Sequence, residues 1–240
     1  MSIEAAFRSV LAGCKLHANP AIVAKYCRYF SEGYDAYGLD RNTMEELFNA
    51  WVADGTIPPD KKNAFALCDL LFAHGKYETA SIAFLVLKEH LGSATVSDLK
   101  RIKKWFDHDI RNWAHTDVIS SEIIAACYRK GIASLAALES WRDSSSKWTR
   151  RVVPVTLIAA VKQKDADLSS LIAFVAPLSH DPERVVQQGV GWFLRECWKK
   201  DAAKTEKYLL SIKDTAPRLV IQYATEKLSK ESRLRFRKTK

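Results

Sequence analysis

The sequence is poor in residues that break helices and in patterns that build β-sheets. Its 240 residues include 9 glycines and 7 prolines. No run of alternating β-branched residues is closed by an Asn-Gly or Asp-Gly turn, which is the usual sign of a hairpin. Helix-forming residues are abundant throughout. The sequence therefore predicts an all-α protein.

The cysteines and the apolar runs argue against a disulfide-rich, a zinc-binding or a membrane-spanning protein. The 5 cysteines are Cys14, Cys27, Cys68, Cys127 and Cys197. They are odd in number, widely spread and lack a Cys-x-x-Cys pair, so neither a disulfide framework nor a zinc site is expected. The N-terminus has no apolar signal core, and the apolar stretch from Leu168 to Leu178 is too short to span a bilayer. We expect a soluble intracellular chain without membrane contact.

The charge balance points to a polyanionic partner. There are 37 Lys and Arg residues against 28 Asp and Glu residues, which gives a formal net charge of +9 and a pI near 9.3. A field of this sign gathers polyanions, so nucleic acid is the leading partner. The alternative is ordinary solubility charge, because many basic proteins bind no DNA.

Helical patterns of about ten to twenty residues follow one another with short breaks. Pairs of them recur at roughly 35 to 45 residues, the period of HEAT-like arrays. We predict an α-solenoid with one concave face, formed by a single domain over residues 1–228. A basic tail follows over residues 229–240. We expect it either to fray and attract phosphates or to be a solvated end without fixed contacts.

Local signals predict where several helices begin. Ser97-Asp98 is predicted to cap a basic helix, and Asp109 to cap the helix that carries Trp113. Asp181-Pro182-Glu183 is predicted to open a long helix with its cap, first-turn proline and first-turn acid. Pro154 is expected to kink its helix or to mark its first turn. Gly189 and Gly191 predict a close approach by another segment, since glycine weakens a helix.

Three short stretches contain the candidate site. In Asn112-Trp113-Ala114-His115-Thr116-Asp117, the indole and the carboxylate stand one helical turn apart on one face. Lys147-Trp148-Thr149-Arg150-Arg151 and Gly189-Val190-Gly191-Trp192-Phe193-Leu194-Arg195-Glu196 follow later in the chain. Two indoles, a carboxylate and a guanidinium suit a cationic ring beside a polyanion.

Each of these residues also has a purely structural interpretation. Trp113 and Trp192 are equally compatible with packing between helices, since tryptophan is usually buried. Asp117 alone is compatible with an ordinary exposed or capping acid. Arg151, next to Arg150, is compatible with one more charge on a solvated face.

Together, in this order and spacing, the stretches resemble the signatures of AlkD-type DNA alkylation-repair glycosylases, which are built from HEAT-like repeats. The similarity runs from Cys27-Arg28-Tyr29 to the segment Arg218-Leu219-Val220-Ile221-Gln222-Tyr223-Ala224. Ala114 departs from this pattern, since many members have Asp there. His115 lies inside the first motif, but the resemblance does not favour it as a general base.

The resemblance implies a monofunctional DNA glycosylase that removes N3-methyladenine and N7-methylguanine from duplex DNA without a metal or an organic cofactor. It implies that Asp117 stabilises the sugar cation at C1′ and orients a water. Trp113 and Trp192 would lie against the lesion nucleotide, and Arg151 would bind a flanking phosphate. Further DNA contacts are expected from a set of three residues, namely Tyr29, Arg150 and Arg195, with Tyr26 as an alternative to Tyr29.

We expect this protein to act as a monomer in the cytoplasm, or at the nucleoid if its source is bacterial. Two functions from other classes remain open on the sequence. One is a noncatalytic HEAT-type module that binds DNA, and the other is a protein-interaction scaffold.

Overall fold

A computed structural model describes residues 1–239, which are largely helical and contain no β-strand. The predicted fold class, an all-α chain of the α-solenoid type, is confirmed. The chain divides into two compact units, one comprising Met1–His115 and the other beginning at Thr116. The single domain predicted over residues 1–228 stays a prediction. Within the described residues, no helix is both long and apolar enough to cross a membrane.

The first unit contains α1 (Ile3–Leu16), α2 (Pro20–Tyr26), α3 (Arg41–Ala53), α4 (Lys61–His74), α5 (Tyr77–Glu89), α6 (Val96–His108) and the start of α7 (Trp113–Val118). Short 3₁₀ turns occur at Cys27–Tyr29 and Leu91–Ser93. The core lies mainly between α4 and α5, where Leu67, Leu71 and Ile82 are fully buried. Burial of one such side chain stabilises the fold by about 1.5 to 3 kcal/mol.

Two predicted helix starts are wrong by a few residues. Thr95, not Ser97, caps α6: its Oγ1 accepts from the Asp98 backbone N at 3.3 Å, and Asp98 Oδ2 accepts from the Thr95 N at 2.7 Å. This reciprocal pair is a capping box, which starts the helix one residue after Thr95. Asn112, not Asp109, caps α7, since its Oδ1 accepts from the His115 N at 2.9 Å. Asp109 instead ends α6.

The segment between α2 and α3 is fixed by a buried carboxylate. Glu78 is fully buried and accepts the backbone N–H groups of Tyr37 and Gly38, each at 2.7 Å, and of Leu39 at 3.1 Å. Gly38 has a φ of +86°, and a Cβ there would lie 2.2 Å from the Asn19 carbonyl oxygen. Only glycine therefore fits at position 38, where the two backbone segments meet.

The second unit contains a π-helical segment (Ile119–Ile124), α8 (Ala125–Arg129), α9 (Leu135–Arg142), α10 (Lys147–Val161), α11 (Leu168–Val175), α12 (Arg184–Lys200), α13 (Ala202–Ile212), α14 (Arg218–Thr225) and α15 (Lys230–Leu234). α10 packs against α12, and α12 packs against α14. α10 is buried over most of its length because Val152, Val153 and Leu157 point to different sides of it. It forms the centre of this unit.

The two glycines of α12 permit the close packing that their sequence context predicted. A Cβ on Gly191 would lie 2.4 Å from Tyr223 Cβ, so α14 can approach only because this side chain is missing. A Cβ on Gly189 would lie 3.3 Å from Cγ of Pro154. Pro154 stands in the interior of α10. Of its two predicted roles, a place in the first turn is therefore wrong, and a kink stays a prediction.

The start of α12 also differs from the prediction. The helix begins at Arg184, and Pro182 precedes it instead of occupying its first turn. Asp181 does not cap the helix. Its carboxylate accepts the Glu183 backbone N–H at 2.9 Å and forms an ion pair with Arg150. The side chain is therefore engaged by another helix.

The basic tail is neither frayed nor free of fixed contacts over residues 230–239. It contains α15, and the Phe236 that follows is fully buried. The ring of Phe236 meets Trp198 edge to face, with the ring centroids 5.9 Å apart. The predictions of a frayed or a solvated tail are both wrong, because one buried aromatic residue among many cations holds it in place.

Candidate functional site

Asp117 and Arg151 form a forked ion pair within the second unit. Arg151 Nε donates to Asp117 Oδ1 at 2.8 Å, and Arg151 Nη2 donates to Asp117 Oδ2 at 2.9 Å. The side chains are 7% exposed for Arg151 and 18% exposed for Asp117. Two parallel bonds fix the plane of a carboxylate, which one ammonium cannot do. The carboxylate of Asp117 is thus held in one direction while part of it stays open to solvent.

Arg151 is positioned by its neighbours on α12. Its Nη1 donates to the carbonyl oxygen of Val185, in the first turn of that helix. A Cβ on Gly189 would lie 3.4 Å from Arg151 Cγ and 3.6 Å from its Nη1. The side chain of Arg151 therefore passes over Gly189 on its way to Asp117, which explains why this position has no side chain.

The turn that follows Asp117 is π-helical. The Ala125 backbone N–H reaches back to the carbonyl oxygen of Ser120, and Thr156 Oγ1 on α10 donates to that same oxygen at 3.3 Å. Ser120 Oγ donates to the carbonyl oxygen of Thr116 at 2.5 Å. Single π-helical turns inside α-helices occur frequently at functional sites. Here the segment links the Asp117 turn to the helix that carries Arg151.

Trp113 lies in the first unit and presents an exposed indole. It is 42% exposed, although its Nε1 donates to the carbonyl oxygen of Tyr29 at 3.1 Å. Phe30 stacks against its ring, with a centroid distance of 5.7 Å and an interplanar angle of 20°. Tyr29 is 52% exposed, and its hydroxyl oxygen accepts from Arg28 Nη2 at 2.9 Å. Both rings are held in place and accessible to a ligand.

His115 is a buried structural residue. The Asn112 amide nitrogen can only donate, so His115 Nδ1 accepts from it at 2.7 Å. The proton then lies on Nε2, which bonds Ser81 Oγ at 3.0 Å. Burial lowers the pKa of His115 to about 4, so the imidazole is neutral near pH 7. Both ring nitrogens of His115 form hydrogen bonds within the protein. His115 is therefore not assigned as a general base.

The other predicted DNA contacts of the second unit differ in their surroundings. Trp192 is half-buried on α12, whereas Trp148 of the second motif is buried. Arg150 binds Asp181 through Nε at 2.6 Å and through Nη2 at 3.1 Å, and its Nη1 donates to two backbone carbonyl oxygens. Arg195 is paired with Glu226 and Glu196. Either guanidinium must therefore exchange or share its carboxylate to bind a phosphate.

The structure thus brings together Asp117 with Arg151 in one unit, and Trp113 with Tyr29 in the other. Sequence reasoning missed Phe30, Val185 and Thr156. The aromatic run Tyr26, Tyr29, Phe30 was a usable signal for Phe30. The roles of Val185 and Thr156 depend on packing between helices distant in sequence. Among the residues described, no group of three or more His, Cys, Asp or Glu side chains is placed to hold a metal ion.

Comparisons with known proteins show the family of this chain and a similar fold. The model of a family described as DNA alkylation repair enzyme matches residues 10–228. A solved structure described as a predicted DNA alkylation repair enzyme from Enterococcus faecalis has a TM-score of 0.73 and 16% sequence identity, and the match covers 89% of this chain and 98% of that chain. At this identity the likeness shows the fold alone. No curated protein matches the sequence significantly.

Proposed function

This chain belongs to the DNA alkylation repair enzyme family, and from that premise we propose that it is a monofunctional DNA glycosylase of base excision repair. Family membership supports a role in DNA alkylation repair and DNA as the partner. The proposed reaction is hydrolysis of the N-glycosylic bond of cationic purines, namely N3-methyladenine and N7-methylguanine, in duplex DNA. The proposed form is a monomer built of HEAT-like repeats that acts in the cytoplasm or at the nucleoid.

The chemistry of the substrate explains why one fixed carboxylate suffices. An alkylated purine with a formal positive charge departs readily, and little acid catalysis is needed. The sugar passes through an oxocarbenium-like state, as it does in glycosidases. A preorganised negative group near C1′ stabilises that state, and such electrostatic stabilisation is usually the largest single contribution to catalysis.

The forked pair of Asp117 and Arg151 is the observation that carries the proposal. Each oxygen of Asp117 accepts one bond from Arg151, and a carboxylate oxygen has two lone-pair directions. We assign Asp117 to stabilise the sugar cation and to orient the attacking water. We assign Arg151 first to position Asp117, and second to contact a flanking phosphate, for which its Nη1 would leave the Val185 carbonyl.

The aromatic residues are assigned to the nucleotide. An exposed indole attracts cations and electron-poor CH groups by about 0.5 to 2 kcal/mol. We propose this role for Trp113, supported by its exposed and stacked ring, and for the half-buried Trp192. Tyr29, Arg150 and Arg195 are assigned to the DNA backbone. No lysine is assigned as a Schiff-base nucleophile, so we expect no strand cleavage.

Release of purines from methylated duplex DNA tests the function. The wild type is expected to release N3-methyladenine and N7-methylguanine, and Asp117→Asn to release them at least about 100-fold more slowly, because a charged group at the reacting centre is lost. Asp69→Asn is the control, since Asp69 forms a forked but more exposed pair with Arg101 in the first unit. Equal release by the wild type and D117N would contradict the assignment of Asp117.

A gel shift with plain duplex DNA at several salt concentrations, combined with the release assay, separates the other functions. Salt-sensitive binding to duplex DNA without any purine release would indicate a noncatalytic DNA-binding module. Absence of both release and salt-sensitive binding would indicate a protein-interaction scaffold.

A further inference from the structure

The basic tail is a fixed part of the second unit. The buried ring of Phe236 anchors it, and Arg235 Nη1 forms an ion pair with Glu206 Oε1 at 2.7 Å. Farther along, the Thr239 backbone N–H donates to Asp214 Oδ1 at 2.6 Å, and Lys213 Nζ donates to Thr239 Oγ1 at 2.6 Å. The cations between these anchors therefore occupy defined positions.

A cleft of about 360 Å³ lies between α14 and the tail. Its lining includes four cationic side chains from these elements, namely Arg218, Lys230, Arg233 and Arg237. Glu231 is the carboxylate in the lining, and Leu234, which is 50% exposed, adds an apolar contact. Four cations against one carboxylate make the cleft strongly positive.

The cations of the cleft differ in their ion pairing from the arginines of the candidate functional site. Arg218 Nη1 donates at 2.8 Å to a backbone carbonyl oxygen, that of Phe236. Among the described residues, no ion pair within 4 Å joins Lys230, Arg233 or Arg237 to a carboxylate. Arg150, Arg151 and Arg195, by contrast, are each paired with one. An incoming anion at the cleft therefore displaces no carboxylate.

The openness of the cleft favours a polymer over a small anion. Arg218, Lys230 and Arg237 are exposed, and Arg233 is half-buried. Solvent and salt screen single exposed charges, so a small free anion gains little there. A polyanion instead releases counterions at each phosphate contact, which makes several exposed cations effective together.

We propose that this cleft binds neighbouring backbone phosphates of duplex DNA, as an anchor separate from the site of Asp117. The proposal rests on the proposed function in one respect, that the partner is DNA. It assigns Lys230, Arg233 and Arg237 to phosphate binding. The sequence alone does not decide whether these charges bind phosphates or are only solvated. Arg218 holds the tail through the Phe236 carbonyl and lines the same cleft.

The test measures the affinity of the full chain for undamaged duplex DNA at several salt concentrations. We compare the wild type with Arg233→Gln/Arg237→Gln, which removes two charges without touching the anchors of the tail. The expected result is a roughly tenfold loss of affinity at about 100 mM salt. The slope of log affinity against log salt should also fall by roughly 1 to 2, since each phosphate contact contributes about 0.9.

The matched control is Lys164→Gln/Lys207→Gln, which removes two exposed charges elsewhere in the second unit. Equal losses in both double variants would show an effect of net charge and would overturn the proposal, as would unchanged affinity in R233Q/R237Q. If R233Q/R237Q melts earlier than the wild type, Lys230→Gln/Arg233→Gln takes its place with the same expectations.

Calorimetry with inorganic phosphate distinguishes a free anion from the DNA backbone. Binding of phosphate that R233Q/R237Q abolishes, with duplex affinity unchanged, would assign the cleft to a small anion and overturn the proposal. Failure of the proposed function is recognised differently. It appears as absent purine release by the wild type, whatever the affinity for undamaged DNA.

Discussion

Arg151 donates two parallel hydrogen bonds to Asp117, at 2.8 and 2.9 Å, and a third to the carbonyl oxygen of Val185. One side chain from α10 therefore joins the end of α7 to the first turn of α12. The direction of the Asp117 carboxylate depends on how α10 and α12 pack, and the path of the Arg151 side chain crosses the missing side chain of Gly189. Substitutions at other positions should therefore change the rate of the proposed reaction by changing the orientation of the Asp117 carboxylate.

Arg151→Lys is expected to lower kcat by about 10- to 100-fold, because an ammonium keeps the charge but cannot hold both carboxylate oxygens in one plane. The affinity for substrate DNA, measured separately, should fall much less. Arg101→Lys is the control, since it makes the same change in the exposed pair with Asp69. A parallel loss of kcat and thermal stability in R151K would instead indicate a purely structural role.

Gly189→Ala and Gly191→Ala are expected to have different effects although they lie two residues apart on α12. A Cβ at position 189 meets Cγ atoms of Arg151 and Pro154 at 3.4 and 3.3 Å, so small shifts accommodate it. The alanine also favours the helix by up to about 1 kcal/mol. G189A should keep its stability but lose purine release, because Arg151 and hence Asp117 are displaced.

In Gly191→Ala, the new Cβ would lie 2.4 Å from Tyr223 Cβ and 2.9 Å from the Val220 carbonyl oxygen. Both are rigid parts of α14, so the two helices must separate, at a cost of about 1 to 3 kcal/mol. Thermal melts and purine release, measured on both variants, check the contrast. The opposite pattern, with G189A unstable and G191A stable, would contradict this account of the two glycines.

The helical succession was predictable because its signals are local. Apolar spacing and caps such as Asn19 with Pro20, or Ser146 before α10, depend on residues within one or two turns. The motif residues Trp113, Asp117 and Arg151 are proposed from the resemblance. Their order in the sequence was sufficient for the resemblance, and the distances between their atoms were not needed.

What escaped prediction depends on partners distant in sequence. The pairing of Arg150 with Asp181 and the docking of Phe236 against Trp198 each join helices that no local pattern relates. The π-helical segment after Asp117 also lacks a sequence signature, since its residues suit an α-helix equally well. The predicted caps at Ser97-Asp98 and Asp109 are wrong because Thr95 and Asn112, at the correct spacing, accept the helix N–H groups instead.

Glu78→Gln is expected to destabilise the first unit by about 3 kcal/mol, because a charged acceptor of three backbone N–H bonds is replaced by an amide that offers one oxygen. The segment of Tyr37, Gly38 and Leu39 would lose its anchor on α5. Urea unfolding measures the effect, with Glu89→Gln, an exposed change on the same helix, as control. Equal stability of E78Q and E89Q would contradict the anchoring role.

The last prediction concerns pH and follows from the buried imidazole of His115. Its pKa is about 4 in the folded protein and 6.5 in the reference state, so the unfolded chain binds the proton more readily. The contribution of this group to stability is therefore complete above pH 6.5 and declines as the pH falls toward 4, by roughly 3 kcal/mol in total.

Other groups titrate in the same range, so the informative quantity is the difference in unfolding free energy between the wild type and His115→Gln. That difference should shrink steadily between pH 6.5 and 4, because glutamine carries no proton there. A difference that stays constant over this range would show that His115 is not held neutral by its burial.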